Sequence, residues 1–423
     1  MSIPDDQLRE ESQLLEPAFS AADPTPDQPG MHALIVGVSR YPNLPLPGAE
    51  LTRHQERYGL GLSQLSCAAK TCKQIYDWLT SHAAHLSVPL VTCRLLLAPS
   101  ETELTDFGSF SGGRMDARLD SFLRAAKAWR ADCASDSRNV AFFYFAGHGF
   151  ERKRGEQVLI LEDVGDGLGG RLSKGVEVSN LVQGMAPSRD YPEIARTQLF
   201  FFDACRLPLV DGYRWEEEVC QEVWGVPVVA TDERDTMQFF TTKPGLAAYA
   251  FRDKHTLFGQ AFLECLEGAG AELASSQHWQ VSVPSLNRGL AYQLRRMLEH
   301  EEVVRQSHMF SGSAEPFVIA TLDTAPEVDL RVEVIPSEYA EVLQVAMHNP
   351  ATGEQELLGP PIAPNPLLRR ARAGRYIVTA RGPGAEPVLS AEALDPPFGS
   401  WLFSSQQSSR TERPDDETTD ADK

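Results

Sequence analysis

Two residues of this chain have the type and the setting for acyl-transfer chemistry, and each ends a similar apolar run. The first run, Phe142-Phe143-Tyr144-Phe145-Ala146-Gly147-His148-Gly149, stops abruptly in Gly-His-Gly. The second, Leu199-Phe200-Phe201-Phe202-Asp203-Ala204-Cys205-Arg206, stops in Asp-Ala-Cys-Arg. Runs that are apolar almost without a break read as strands covered on both faces. In open parallel sheets the reacting groups gather beyond the carboxyl ends of the strands. If the two strands are neighbours, an imidazole meets a thiol there, which is the minimum set for nucleophilic catalysis. An unassisted thiol has a pKa of about 8.5, so Cys205 needs a base to act at neutral pH. His148 can take that proton and later return it to a leaving amine. Gly149 has no side chain to keep a substrate carbonyl from its N–H, and with the N–H of Cys205 it would form an oxyanion hole. Taken singly, a histidine between glycines or a buried cysteine more often serves packing. The pairing at two strand ends is what points to chemistry.

The rest of the sequence must supply the frame. Apolar runs at 33–38, 91–97, 140–145, 199–202, 238–241 and 317–320 are candidate strands. Helical periodicity separates them: in 115–129, Met115, Leu119, Phe122, Ala126 and Trp129 share one face. Segments 63–80, 256–267 and 285–300 have the same pattern. Strands alternating with helices imply an α/β fold, an αβα sandwich around a mostly parallel six-stranded sheet, over residues 31–322. Beyond residue 325 the pattern changes to strict alternation, as in Val328-Asp329-Leu330-Arg331-Val332-Glu333-Val334, broken by turn signals such as Asn349-Pro350. This predicts a small antiparallel β-sandwich over 327–403. Residues 1–30 read as a disordered acidic arm and 404–423 as a disordered tail.

Composition narrows the function classes. The 423 residues carry a formal net charge of −20 at pH 7, which argues against nucleic-acid binding, since phosphate contacts need clustered Lys and Arg. Seven cysteines without regular spacing fit a reducing compartment rather than a disulfide framework. The start, Met-Ser-Ile-Pro-Asp-Asp, has no secretory character, and no apolar run approaches the roughly 20 residues of a membrane helix. A cytoplasmic protein with no membrane contact is expected.

The motifs resemble the His-Gly and [Asp/Gln]-Ala-Cys signatures of caspase-like peptidases, metacaspases and their bacterial relatives in particular. Caspases carry Gln-Ala-Cys-[Arg/Gln/Gly]-Gly with the histidine about 50 residues upstream; here the box is Asp203-Ala204-Cys205-Arg206-Leu207 and His148 lies 57 residues before the cysteine. Ala33-Leu34-Ile35-Val36-Gly37-Val38-Ser39-Arg40-Tyr41 is similar to the first strand and turn of that fold. Pro244-Gly245-Leu246-Ala247-Ala248-Tyr249, with the segment from His255 to Leu263, resembles its late strand and helix. The resemblance implies a cysteine endopeptidase with His148 and Cys205 as catalytic pair. It also implies protein substrates and a role as regulated effector in a bacterial signalling or defence pathway. Asp203 departs from caspases and is similar to the acid with which metacaspases, paracaspases and clostripain line the pocket for the residue before the cut. A carboxylate there favours Arg, with Lys weaker because it cannot pair in bidentate fashion. Metacaspases tend to carry a second pocket acid where this chain has Lys70, so either another acid, such as Asp163, takes that role or the preference for basic residues is weakened.

No cofactor and no metal ligand set is expected. Asp163 and Asp166 stand in a glycine-rich acidic loop of the kind that is usually just solvated. The resemblance to metacaspases, some of which need calcium, offers calcium dependence as the alternative, though the spacing is not that of an EF-hand. Arg171, Arg206 and Arg214 border the site and are candidate self-cleavage positions of a zymogen. The β-sandwich is a candidate partner-binding module. The alternative reading is a silent scaffold that keeps the fold without the reaction.

Overall fold

The computed structural model describes residues 16–22, 28–107, 114–153, 155–208, 218–226, 232–248, 255–299, 306–313, 316–384 and 386–404. These fall into two compact units, one drawn from 1–270 and 280–321, the other from 271–279 and 322–423. The short segment 271–279, read in the sequence as part of the first domain, groups with the second unit.

The first unit begins with β1 (Phe19–Ser20) and β2 (Met31–Val38), then α1 (Arg53–Tyr58), α2 (Ala68–Ser81) and β3 (Leu90–Ala98). It continues through α3 (Glu101–Phe107), α4 (Leu119–Cys133) and β4 (Val140–Ala146). A small sheet follows, made of β5 (Gly149–Lys153), β6 (Glu156–Ile160) and β7 (Gly175–Glu177). Next come α5 (Val178–Gln183), β8 (Thr197–Asp203), β9 (Asp235–Phe240) and α6 (Leu257–Glu264). After β10 (Glu272–Leu273), which falls in the second unit, the chain runs through β11 (Trp279–Ser282), α7 (Val283–Met297), β12 (Met309–Gly312) and β13 (Val318–Leu322).

Among the described residues seven strands make the main sheet, in the order β1-β3-β2-β4-β8-β9-β12. The five central strands are parallel and the two edge strands antiparallel. Parallel neighbours need crossovers, and the helices supply them. Helices on both faces explain why β2 and β4 are buried along their whole length. On one face Tyr144 and Phe201 meet Phe262 of α6, with ring centroids 5.8 and 4.7 Å away. On the other, Phe143 and Phe200 meet Trp129 of α4 at 5.9 and 6.3 Å. Each such ring contributes on the order of 2 kcal/mol on burial, so the strand ends rest on a densely packed base. Gly37 lets α2 approach β2: a Cβ there would lie 2.8 Å from Ala69 Cα.

The sheet has seven strands rather than the expected six, and the difference lies at its edges. The 317–320 run becomes β13, which pairs with β11 outside the main sheet. The edges come from β1 and β12, which are short and leave no hydropathic pattern. Within the arm expected to be structureless, Phe19 and Ser20 pair with Cys93 and Thr92. The Tyr76 hydroxyl donates to Ala18 O at 3.1 Å. Residues 404–423 lie, apart from Ser404, outside the described residues.

The second unit stacks its strands in two sheets. One is β17 (Leu367–Arg372), β14 (Glu327–Ile335) and β20 (Phe398–Ser404); the other is β16 (Gln355–Gly359), β15 (Gln344–His348), β18 (Gly374–Arg381) and β19 (Val388–Leu394). The alternation read in 328–334 is observed, with Val328, Leu330, Val332 and Val334 all buried. Tyr376 and Trp401 join the two sheets at 5.8 Å between ring centroids. The unit is not wholly antiparallel as expected, because β14 and β20 run parallel.

Candidate active site

β4 and β8 are adjacent and in register, with Ala146 opposite Asp203. His148 and Cys205 therefore each stand two residues beyond a matched pair, at the carboxyl edge of the sheet. Gly147 N donates to Asp203 O at 3.2 Å and ties the two exits together.

His148 is held at three points. Its main-chain N–H donates to the Tyr41 hydroxyl at 2.8 Å, and its carbonyl accepts from Ile160 N at 2.9 Å. Its ring Nε2 lies 2.6 Å from Ser63 O. A carbonyl only accepts, so Nε2 carries the proton and Nδ1 keeps its lone pair. Ser63 is itself fixed, since Leu62, Gln64 and Leu65 donate their N–H groups to Gly59, Pro45 and Ser39. Burial pushes the imidazole down to about 4, against the opposing effect of the Ser63 bond, so His148 is neutral at pH 7.

Cys205 is half-buried, while the six other cysteines are buried; all seven are free thiols. Among the described residues its thiol bonds to Ala248: the Ala248 N–H donates to Sγ at 3.1 Å and Sγ donates to Ala248 O at 3.7 Å, while the Cys205 carbonyl accepts from Gln157 Nε2 at 3.2 Å. Ala248 ends a turn held by Arg206 N to Leu246 O and Gly245 N to Arg206 O, at 3.1 and 2.9 Å. Burial pushes the thiol up, and the charge of Asp203 adds to the rise, while the Ala248 N–H opposes it. Gly149 lies against this segment: a Cβ there would be 2.8 Å from Ala204 Cβ and 3.0 Å from Cys205 O. Gly149 faces Leu159 across the β5–β6 ladder, and Ile160 N bonds to His148 O. That makes Gly149–Leu159 a non-hydrogen-bonded pair, which turns the Gly149 N–H away from β6.

Asp203 is 3% exposed. Its Oδ2 accepts from the Tyr144 hydroxyl at 3.0 Å and from Thr256 Oγ1. Burial pushes the carboxyl up to about 6, opposed by the hydroxyls of Thr256, Tyr144 and Thr241 and by the Gly259 N–H. Thr256 caps α6, with Oγ1 accepting from Gly259 N at 3.1 Å, so the acid sits at the positive end of that helix.

Asp163 is not brought to Asp203. It accepts from Leu119 N at 3.0 Å, at the start of α4, whereas Asp203 shares its face of the sheet with α6. Asp163 and Asp166 both pair with Lys174, at 3.5 and 3.3 Å. Among the described residues no group of three His, Cys, Asp or Glu side chains is placed to hold a metal ion. Lys70, the objection to a basic pocket, is paired at 2.6 Å with Asp106. Arg206, a candidate cleavage position, is buried, with its guanidinium 4.7 Å from the Phe240 ring centroid. Arg171 is half-buried, and Arg214 lies outside the described residues. Tyr41, Ser63 and Ala248 escaped the sequence reading. The last two act through main-chain atoms, which no residue type signals; Tyr41 lies in the quoted turn after the first strand.

A caspase-domain profile matches residues 31–306. No curated protein sequence matches the chain. Among solved structures, caspase-1 from Spodoptera frugiperda is 12% identical at a TM-score of 0.41, over 71% of this chain and 97% of that one. A protein from Geobacter sulfurreducens is 10% identical at 0.39, over 68% and 96%. Among the described residues no helix is long and apolar enough to cross a membrane. The profile spans well over half of the sequence and covers both strand ends, and on that ground the chain belongs to the caspase-domain family of cysteine peptidases.

Proposed function

We propose that the chain is an endopeptidase in which His148 and Cys205 act as a dyad on proteins, cutting after Arg and less well after Lys. His148 Nδ1 takes the Sγ proton as sulfur attacks the scissile carbonyl, and the oxyanion rests on the N–H groups of Gly149 and Cys205. The C–N bond then breaks, the imidazolium gives its proton to the leaving amine, and a thioester remains. Water, deprotonated by the same imidazole, hydrolyses the thioester and restores the thiol. The observation that carries this reading is the register of the two strand ends, with Nε2 already committed to Ser63 O.

Preference for Arg rests on Asp203. An incoming guanidinium would stabilise the ionised form of a carboxyl that burial has raised. The sign follows: Asp203 is charged above about pH 6 and neutral below, so KM for Arg substrates rises as the pH falls through that value. The thiol's engagement with Ala248 supports a resting state that awaits activation, as in a regulated enzyme or zymogen of a reducing, cytoplasmic compartment.

The test is a panel of fluorogenic peptides ending in Arg, Lys, Gln or Asp, with wild type and Cys205→Ala, with and without calcium. Cleavage after Arg by wild type alone is expected. Cleavage after Asp but not Arg removes Asp203 from the pocket and leaves the dyad. Silence under every condition favours the scaffold.

A further inference from the structure

We infer that Tyr41 is a positioning residue for His148, acting through its hydroxyl and its ring on the base of the proposed reaction. The hydroxyl accepts from His148 N at 2.8 Å and donates to Ile160 O at 3.3 Å. Ile160 N in turn donates to His148 O at 2.9 Å. One hydroxyl thus closes a ring of hydrogen bonds in which both main-chain groups of the histidine take part. The Tyr41 and His148 rings also meet, with centroids 4.9 Å apart and planes tilted by 40°. Tyr41 is fully buried, so it excludes water from one face of the imidazole.

Among the described residues, Tyr41 contacts both the main chain and the ring of His148. Gly147, one residue before the histidine, gives the main chain freedom, and a Cβ there would come within 2.9 Å of Tyr41 Oη. The strand ends at Ala146, and between it and β5 the contacts made by His148 itself run to Tyr41, Ile160 and Ser63. Removing the hydroxyl leaves the His148 N–H and the Ile160 carbonyl without that partner in a buried place, and the main chain has to shift to satisfy them. A shift of about 1 Å at a base costs about tenfold to a hundredfold in turnover.

The inference rests on the dyad reading but is tested apart from it. At pH 7 the 15N shifts of the His148 ring, assigned by their loss in His148→Ala, should give a single tautomer with the proton on Nε2. In Tyr41→Phe we expect that signature to move toward a mixture of tautomers. We also expect kcat to fall about tenfold to a hundredfold with KM within about twofold. Tyr41→Ala, which also removes the ring, should fall further. A His148 signature unchanged in Tyr41→Phe overturns the inference whatever the activity. A moved signature upholds it even if wild type cleaves nothing, and that silence would count against the endopeptidase reading alone.

Discussion

The two strand ends that make the site are built in opposite ways. At the end of β4, His148 is fixed through its main chain to Tyr41 and Ile160 and through its ring to Ser63. At the end of β8, the Cys205 thiol has its hydrogen bonds to one main-chain unit, Ala248, on a turn at the end of β9. The imidazole is tied at three points and keeps the Nδ1 lone pair at neutral pH, whereas the thiol, pushed up by burial, is engaged with Ala248. On the proposed reading, an imidazole fixed in place and a thiol engaged with Ala248 put the control of the reaction on the thiol side. On that same reading, activation requires Ala248 to release the thiol, with no change at His148.

The largest effect should come from breaking the rigid end. His148→Ala removes the proton acceptor and the donor to the leaving group, and should lower kcat/KM by about 10²- to 10⁴-fold. The fold should be undisturbed, because the side chain is half-buried and the hydrogen bond of its ring goes to the half-buried Ser63. Peptide kinetics and a melting curve check both statements. A loss below tenfold would mean that some other group takes the proton.

Gly149→Ala joins the two ends and should come next. The added methyl meets Ala204 Cβ at 2.8 Å, Cys205 O at 3.0 Å and Val158 O at 3.1 Å, two of them main-chain atoms that cannot swing aside. The segment carrying the nucleophile must shift, at a cost of about 1–3 kcal/mol in stability and about a hundredfold in kcat. Thermal unfolding together with single-turnover acylation separates the two. Unchanged kinetics would show that the β8 exit tolerates displacement and that the held state of Cys205 is not a matter of fit.

The thiol end can be sharpened by chemistry without mutation. With the imidazole pushed down to about 4 and the thiol pushed up by burial, the resting pair is neutral. Alkylation of Cys205 by iodoacetamide should then rise steadily from pH 6 to pH 9, because the thiolate is the reacting species. The other cysteines are buried and should lag. Mass spectrometry of the Cys205 peptide at each pH gives the profile. A fast plateau between pH 5 and 7 would reveal a thiolate–imidazolium pair and remove the contrast between the two ends.

The same contrast explains what the sequence reveals. The five central strands are legible because burial on both faces writes continuous apolar runs, and the positions of His148 and Cys205 are legible because they follow the ends of two of them. The edge strands β1 and β12 are not, since two to four residues of mixed polarity carry no periodicity. Asp163 and Asp203 look equivalent in sequence, yet one caps α4 and the other lies on the α6 face. Alternation tells that residues change faces, not which loop returns to which face. Arg206 reads as a loop arginine because its partner ring, Phe240, is 34 residues away in the chain. Two of the contacts on His148 and Cys205, Ser63 O and the Ala248 main chain, involve atoms every residue has; the Tyr41 hydroxyl on His148 is a side-chain group.

The smallest effect is expected at Lys70, where the sequence set a cation against a basic pocket. Its ammonium pairs with Asp106 at 2.6 Å, the two side chains being 25% and 51% exposed. An ion pair that wet contributes less than about 1 kcal/mol. Lys70 also serves the fold through its main chain, its N–H donating to Glu103 Oε1 at 2.8 Å, and a side-chain change leaves that bond alone. Lys70→Ala should therefore shift the melting temperature by no more than about 2 °C and kcat/KM for Arg peptides by less than about threefold. The informative comparison is with Asp106→Asn, which frees the ammonium while keeping it in place. If Asp106→Asn weakens Arg peptides more than Lys70→Ala does, the pair exists to neutralise a charge near the pocket. Equal small effects would make Lys70 an ordinary surface residue, and the Arg preference would then depend on Asp203 with nothing opposing it.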